Sequence, residues 1–310
     1  MKISNILFLL SQAKAISWVG IGNGRDGQSE TSICESTSLS HIQKRLCARN
    51  SKFGPGISRA ATQTISKCKS GMSGEKWGCQ GIEKLPKMSK TISSSTAESA
   101  YLHSLASGQL IGQLYRLCAS GAIGECISNE IEEFTNQFTS VISLVKNIGK
   151  KSLVDIELHN NKVGREMAWG ARNKICKCHG QSGSCSVKTC YETSPRSEDI
   201  SKIALEKYEK SVRVELAHEN AAVPTQLKNI AKNRLLYVDA RDDFCSDEST
   251  KGRTCQLDNI LESSHCDNLC CGRGSVRSEK MVLENECVFT WPDKIRCTPV
   301  AIKKIENICR

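Results

Sequence analysis

Cys176-Lys177-Cys178-His179-Gly180-Gln181-Ser182-Gly183-Ser184-Cys185-Ser186-Val187-Lys188-Thr189-Cys190 is the stretch on which the reading of this chain turns. Four cysteines at this spacing allow two nested bridges, Cys176 to Cys190 and Cys178 to Cys185, with Gly-Gln-Ser-Gly-Ser at the tip of the inner loop. Glycines at 180 and 183 allow a tight turn with positive φ. Ser182 is then held out on a stapled hairpin, away from any core. A packed domain has little structural reason to present a serine in this way, so the tip is a candidate site.

Helical periods surround the hairpin. Val163, Met167, Ala171 and Ile175 lead directly into it, and Ile200, Ala204, Tyr208 and Val212 follow it. Upstream, Ile57, Ala61, Ile65 and Cys68 form one stripe, and Leu102, Ala106, Leu110, Leu114 and Leu117 another. Ser95-x-x-Glu98 reads as a capping box just before the second stripe. Gly108 and Gly112 weaken that helix by about 1 kcal/mol each relative to alanine, and permit close helix packing. Ile131, Phe134, Phe138, Val141, Val145 and Ile148 make a further stripe that ends at Gly149. These stripes read as core and imply no ligand site.

The chain has 310 residues, enough for one large or two ordinary domains, and 18 cysteines. Met1-Lys2, the apolar run Ile6–Leu10 and Ala13-Lys14-Ala15 fit a signal peptide over residues 1–15. In a secreted chain an even, high cysteine count means a disulfide framework. No later run of about 18 apolar residues suggests a membrane span. The formal charge is +10, and removal of Lys2 and Lys14 leaves +8. That surplus points to acidic matrix glycans or receptor surfaces rather than nucleic acid.

Residues 191–244 contain no cysteine, whereas 245–310 contain eight. This asymmetry separates a helical N-terminal domain, residues 16–216, from a cysteine-rich module at 236–310, with 217–235 as a polar linker carrying Pro224. The module reads as short strands and turns. Leu235-Leu236-Tyr237-Val238 is strand-like, and Val288-Phe289-Thr290-Trp291 is one arm of a hairpin turning at Pro292-Asp293. So small a core depends on its bridges. The fold class is therefore α+β: helices with a stapled hairpin, then a disulfide-rich β module.

Several chemistries compete at Ser182. Gly180-x-Ser182-x-Ser184 approaches a hydrolase nucleophile elbow with His179 beside it, but the last glycine is missing and a helix, not a strand, precedes it. Cys176, Cys178 and His179 have metal-ligand character, which secretion and an even cysteine count oppose. A third reading is a rigid hairpin that offers Ser182 for modification or contact. A plain disulfide turn with an incidental serine is the fourth.

The run from Cys176 to Cys185 resembles the signature of the Wnt family of secreted, lipid-modified signalling ligands. Other segments resemble that family in order. Lys76-Trp77-Gly78-Cys79 is similar to its RWNC region, Thr96–Tyr101 to its RE(S/T)AF helix, and His159-Asn160-Asn161 with Gly164-Arg165 to its HNNxxGR stretch. Leu236-Tyr237-Val238 with Phe244-Cys245 resembles the opening of its C-terminal domain. Cys270–Gly274 resembles its CCGRG segment, and Phe289-x-Trp291 its finger arm. The spacing around 217–235 points to the eleventh vertebrate subfamily or a relative.

The resemblance implies no enzymatic activity and no cofactor. Ser182 corresponds to the serine that receives a monounsaturated acyl chain from an endoplasmic-reticulum O-acyltransferase. The acylated hairpin, or thumb, then docks in a groove of the Frizzled cysteine-rich domain. Lys177, Gln181 and Lys188 would flank that contact, and Phe289, Trp291, Pro292 and Asp293 would form a second one on the finger. An LRP-type co-receptor, a lipid-shielding carrier during secretion and heparan sulfate are the further implied partners. Lys146, Lys150, Lys151, Arg273, Arg277, Lys280, Lys303 and Lys304 are the candidate cations for heparan sulfate. The implied bridges are Cys34–Cys47, Cys68–Cys79, Cys118–Cys126, Cys176–Cys190, Cys178–Cys185, Cys245–Cys271, Cys255–Cys266, Cys270–Cys309 and Cys287–Cys297.

The departures fall in pairs. Ser128 stands where the family has a cysteine, and the partner position of that bridge is also lost. Asn285 and Val300 occupy a second pair of cysteine positions, and Pro292-Asp293 replaces the adjacent pair at the fingertip. Gln181 stands where an apolar residue is usual, and Tyr191 where tryptophan is. The altered fingertip raises a decoy or antagonist as the alternative to an agonist, and a secreted hydrolase using Ser182 as a more distant one.

Overall fold

A computed structural model describes residues 16–24, 30–87, 89–124, 128–140, 151–215, 232–246, 249–291 and 294–310. The chain forms two compact units: the first holds the residues up to Gly71 with Cys79–Asp242, the second Met72–Gly78 with Asp243–Arg310.

The principal helices of the first unit are α1 (His41–Arg49), α2 (Gly54–Gly71), α3 (Ala97–Ala119), α4 (Ser128–Thr139), α5 (Lys151–Gly170) and α6 (Ser197–Glu209). Helix α3 is the axis of the core. Its sequence carries only Glu98 and Arg116 as permanent charges, and it is buried on all sides from Ala97 to Leu114 rather than along one stripe. It packs chiefly against α5 and α2. A Cβ at Gly108 would lie 2.9 Å from Met167 Cε, and one at Gly112 would lie 2.8 Å from Ile200 Cδ1. Both glycines therefore permit the close crossings of α5 and α6.

The cap of α3 differs from the Ser95 capping box. Thr96 is the N-cap and its hydroxyl accepts from Ser99 N–H. The Ser95 N–H instead donates to Asp239 Oδ2 at 2.8 Å, and Glu98 turns into the core, where Tyr208 Oη donates to it at 2.9 Å. A buried carboxylate with a hydroxyl partner has no reason to fold back onto the cap. Of the 131–148 stripe, α4 carries Ile131, Phe134 and Phe138, all buried; Val141, Val145, Ile148 and Gly149 lie outside the described residues.

The proposed boundary at 235/236 is also displaced. Leu236–Tyr237 (β4) pairs in parallel with Val212–Arg213 (β3) and belongs to the helical unit, with Leu235 and Leu236 fully buried. The side chain of Asn160 brackets Leu236, donating to its carbonyl and accepting from its N–H, both at 2.9 Å. That pair of bonds mimics a neighbouring strand, so this segment is fixed to α5.

In the second unit the buried cluster is Cys255, Cys266, Leu269, Cys270 and Cys309. Four of the five residues are half-cystines, so the bridges are the core. From it project Ser275–Thr290 (β6) and Lys294–Cys309 (β7), antiparallel in register along their whole length, with the two-residue strand Thr254–Cys255 (β5) at the base of β7. These strands of 16 residues replace the short ones expected. Their length was masked because most of the ribbon is exposed on both faces, so no alternating buried face marks it.

Candidate functional site

Helix α5 leads into the thumb, built from Asn173–Cys178 (β1) and Lys188–Thr193 (β2) in antiparallel register. Cys176 stands directly opposite Cys190 and is bridged to it, and Cys178 is bridged to Cys185. Most of the hairpin is exposed, with Ile175 and Val187 among the uncovered aliphatics. An isolated two-stranded ribbon is marginal in water. Closing a loop of eight residues restricts the unfolded chain by about 2.5 kcal/mol, which supplies order that no core provides.

At the tip, His179 N–H donates to the Val187 carbonyl and Gly180 N–H to the Ser184 carbonyl, each at 2.7 Å. The two glycines serve different ends. Gly183 has φ 79°, as expected, but Gly180 has φ −69°. Gly180 is required by space, because a Cβ there would lie 2.1 Å from Ser184 Oγ and 2.4 Å from the Ser184 carbonyl oxygen. The second left-handed residue is Ser182 itself, at φ 58°, ψ 27°. Serine adopts that region at a cost of about 1–2 kcal/mol, which the flanking bridge sustains. Ser182 and Gln181 are exposed. Lys177 and Lys188 are exposed too, but they face opposite sides of the ribbon, since Lys177 pairs with Thr189 and Lys188 with Cys178. They do not form one cationic patch.

Bridging also disposes of the metal reading, because Cys176 and Cys178 are both cystine sulfurs. The described residues contain eight disulfides, those of the pairs set out above other than Cys118–Cys126; Cys126 lies outside the described residues.

On the finger, Cys287 stands opposite Cys297 and is bridged to it. Beyond that staple, Phe289 faces Ile295 across the ladder, 60% and 70% exposed, and Trp291 is 84% exposed. Ile295 was not singled out from the sequence; only the register brings it beside Phe289. Pro292 and Asp293 lie outside the described residues. The two further cysteine positions are not partners in this ladder. Asn285 stands opposite Pro299 and Val300 opposite Glu284, so Asn285 and Val300 point to opposite faces.

The candidate heparan sulfate cations separate as well. Arg277 and Lys280 are exposed, and Lys303 is paired with Glu279 at 2.6 Å. Lys304 approaches Glu306 at 3.7 Å. Arg273 is occupied structurally: its guanidinium donates to the carbonyls of Arg310 and Cys245 and to Thr250 Oγ1. Lys146 and Lys150 lie outside the described residues, and the side chain of Lys151 is not among those described.

The motif residues on α5 are load-carrying positions of the fold rather than surface contacts. Asn161 accepts from Ser107 Oγ and donates to the Thr139 carbonyl, and Arg165 reaches Thr139 Oγ1 and Asn136 Oδ1, all at 2.8–2.9 Å. Burial pushes the Arg165 guanidinium down to about 10. In the second unit, Arg253 plays a part that no sequence signal announced. It donates to the carbonyls of Lys76, Ser73 and Glu75 at 2.7–2.8 Å, tying the 72–78 segment to the module. Gly78, at φ 55°, leaves room for that guanidinium.

A helical unit with a stapled exposed hairpin, and a cystine-cored unit bearing a long ribbon, define a disulfide-framed α+β protein with two projecting hairpins. The family model described as "wnt family" matches residues 35–141 and 131–310. The chain belongs to the Wnt family. Among its relatives are Wnt-11b of Xenopus laevis, 28% identical over 330 residues, and Wnt-16 of Mus musculus, 28% identical over 335. Each alignment covers 94% of this chain and 92% of the relative. Equal identity to two subfamilies does not single out the eleventh. The solved structure of human WLS in complex with WNT8A matches with a TM-score of 0.61 at 23% identity, covering 83% of this chain and 94% of that one, a likeness of fold. Wnt family members are secreted signalling ligands, not enzymes, and need no cofactor. No described helix is long and apolar enough to cross a membrane.

Proposed function

We propose that this chain is a Wnt signal that carries a monounsaturated acyl chain on Ser182 Oγ and docks through it on a Frizzled cysteine-rich domain, with Phe289, Trp291, Pro292 and Asp293 of the finger as the second contact. The single observation that carries this reading is the exposed Ser182, held in a left-handed conformation at the tip of a doubly stapled ribbon with no core beneath it. Each acyl CH₂ transferred from water is worth about 0.8 kcal/mol, far beyond what a bare serine supplies. The stapled ribbon lowers the ordering cost of docking. An O-acyltransferase of the secretory pathway installs the chain, and a carrier shields it in transit. The likeness to WNT8A, solved in complex with WLS, supports a carrier of that type.

An LRP-type co-receptor completes the signalling complex, and Arg277 and Lys280 contribute to heparan sulfate retention. The replacement of the fingertip cysteine pair by Pro292-Asp293 favours one second reading, a ligand that occupies the receptor without signalling. Mass spectrometry of the 178–185 peptide from secreted protein tests the first reading: an acylated Ser182 is the expected result, and an unmodified serine rejects it. A pathway reporter assay, run beside receptor binding, distinguishes agonist from decoy.

A further inference from the structure

Strand β6 is an edge strand. In the order β5-β7-β6, its inner side pairs with β7 over all 16 residues, and among the described residues no strand pairs with its outer side. Free edges of this length invite pairing with another strand, and proteins usually blunt them with proline, bulges, brevity or charged side chains, of which β6 carries only charges of both signs, Arg277, Glu279, Lys280, Glu284 and Glu286. The other long strand, β7, carries Pro299 and is flanked by β5 at its base. β6 has no proline, and none of its residues has positive φ.

The sequence of β6 is also self-complementary. Fold Ser275–Thr290 back on a second copy about Val282, and Val282 meets its own equivalent. Met281 then faces Leu283, Val276 faces Val288, and Lys280 faces Glu284, each pair occurring twice by symmetry. Glu279 faces Asn285, Ser278 faces Glu286 and Arg277 faces Cys287, so no like charges oppose each other. Centring on Met281 or Leu283 also opposes no like charges, but it parts Val276 from Val288 and Met281 from Leu283, and about Met281 it sets Lys280 against Val282. Centring on Lys280 or Glu284 opposes a charge to itself. Moving the centre by half a residue in either direction sets Glu279 against Glu284 or against Glu286. The register about Val282 also preserves the faces, so that the exposed Met281 and Leu283 of the two copies merge into one apolar strip.

From this edge and its palindromic pattern we infer that the finger is a self-association surface: two copies of this chain pair antiparallel through β6, about a twofold axis at Val282, into a four-stranded ribbon. The interface is isologous and closes as a dimer. With a rise of about 3.3 Å per residue, the two Trp291 tips lie at opposite ends of the ribbon, about 60 Å apart. One dimer then presents two ligands in opposed directions.

Sedimentation velocity of the full secreted chain in detergent, at micromolar concentration, tests this without reference to receptor binding. The expected species has twice the chain mass and persists in Ser182→Ala, which separates edge pairing from association through a lipid. Lys280→Glu and Glu284→Lys each place like charges opposite one another twice, and each weakens association by about tenfold or more. Both side chains are exposed, so secretion and circular dichroism remain as in the parent. The double variant Lys280→Glu/Glu284→Lys restores the dimer, and the two single variants mixed together form a heterodimer. A monomeric parent, a dimer lost in Ser182→Ala, or single variants that associate as the parent does would each overturn the assignment.

Discussion

Gly164 of α5 lies against the main chain of Ser104 in α3: a Cβ at 164 would stand 2.1 Å from the Ser104 carbonyl oxygen. The obstacle is backbone, which no rotamer change relieves. Gly164→Ala therefore forces the two helices apart along the axis of the core. Overpacking of this kind costs about 3 kcal/mol, and chemical denaturation of the secreted chain is the measurement. A loss under about 0.5 kcal/mol would show that the crossing is looser than described.

Asn160→Leu removes both bonds to Leu236 at once. The buried N–H and C=O of Leu236 are then unpaired, at about 1–3 kcal/mol for each group. Amide exchange should quicken at Leu236 and at Val212, whose N–H donates to the Leu235 carbonyl. Exchange in α2, which does not depend on this bracket, stays as it was.

His103 is buried in α3, and desolvation lowers its pKa from 6.5 to about 4, against a smaller opposing effect of its bond to Asn161. The unfolded chain binds this proton more readily than the folded one below pH 6.5. The neutral imidazole thus contributes stability that is fully present above pH 6.5 and declines as pH falls toward about 4, by about 3 kcal/mol over that interval. The test is the difference between parent and His103→Asn in urea-melt stability at pH 7 and pH 4.5, since carboxylates contribute equally to both. An unchanged difference between the two pH values would rule out burial of a neutral His103.

Cys178→Ser together with Cys185→Ser opens the inner loop without touching a core. The consequence is local: faster exchange at Gly180 and Ser184, loss of Frizzled binding by about tenfold or more, and an unchanged melting transition of the helical unit. A fall in that melting temperature of several degrees would contradict the independence of the hairpin.

Trp291→Ala leaves secretion intact, because the ring makes little contact at 84% exposure. If the fingertip is the second anchor, Frizzled affinity falls about tenfold to a hundredfold, the cost of losing an aromatic anchor. Equal affinity would restrict receptor contact to the thumb.

The residues that were legible in sequence were those under local rules. The cysteine spacing around 176–190 announced the thumb, the cysteine density over 245–310 announced a bridge-dependent module but not its long ribbon, and the 3.6-residue stripes marked α2, the upper part of α4, and α6. What escaped depended on distant partners. Ser95 and Thr96 are equally good caps on paper, and only the engagement of Ser95 by Asp239 selects Thr96. The stretch at 235–238 looks like a domain opening until the Asn160 amide is seen to hold it. Ile295 becomes part of the fingertip only through the register that sets it opposite Phe289. Gly180 was legible as a turn glycine, but its reason, the crowding of Ser184, was not.

The thumb stores its shape in two covalent bonds with no core around them, while the helical unit combines packing with the buried bridges Cys34–Cys47 and Cys68–Cys79. Reductant therefore reaches the thumb first. Mild reduction would silence the protein before its helical fold gives way, and warm oxidising conditions would melt the helices around a tip that keeps its form. Loss of signalling and loss of folded mass are then separable failures.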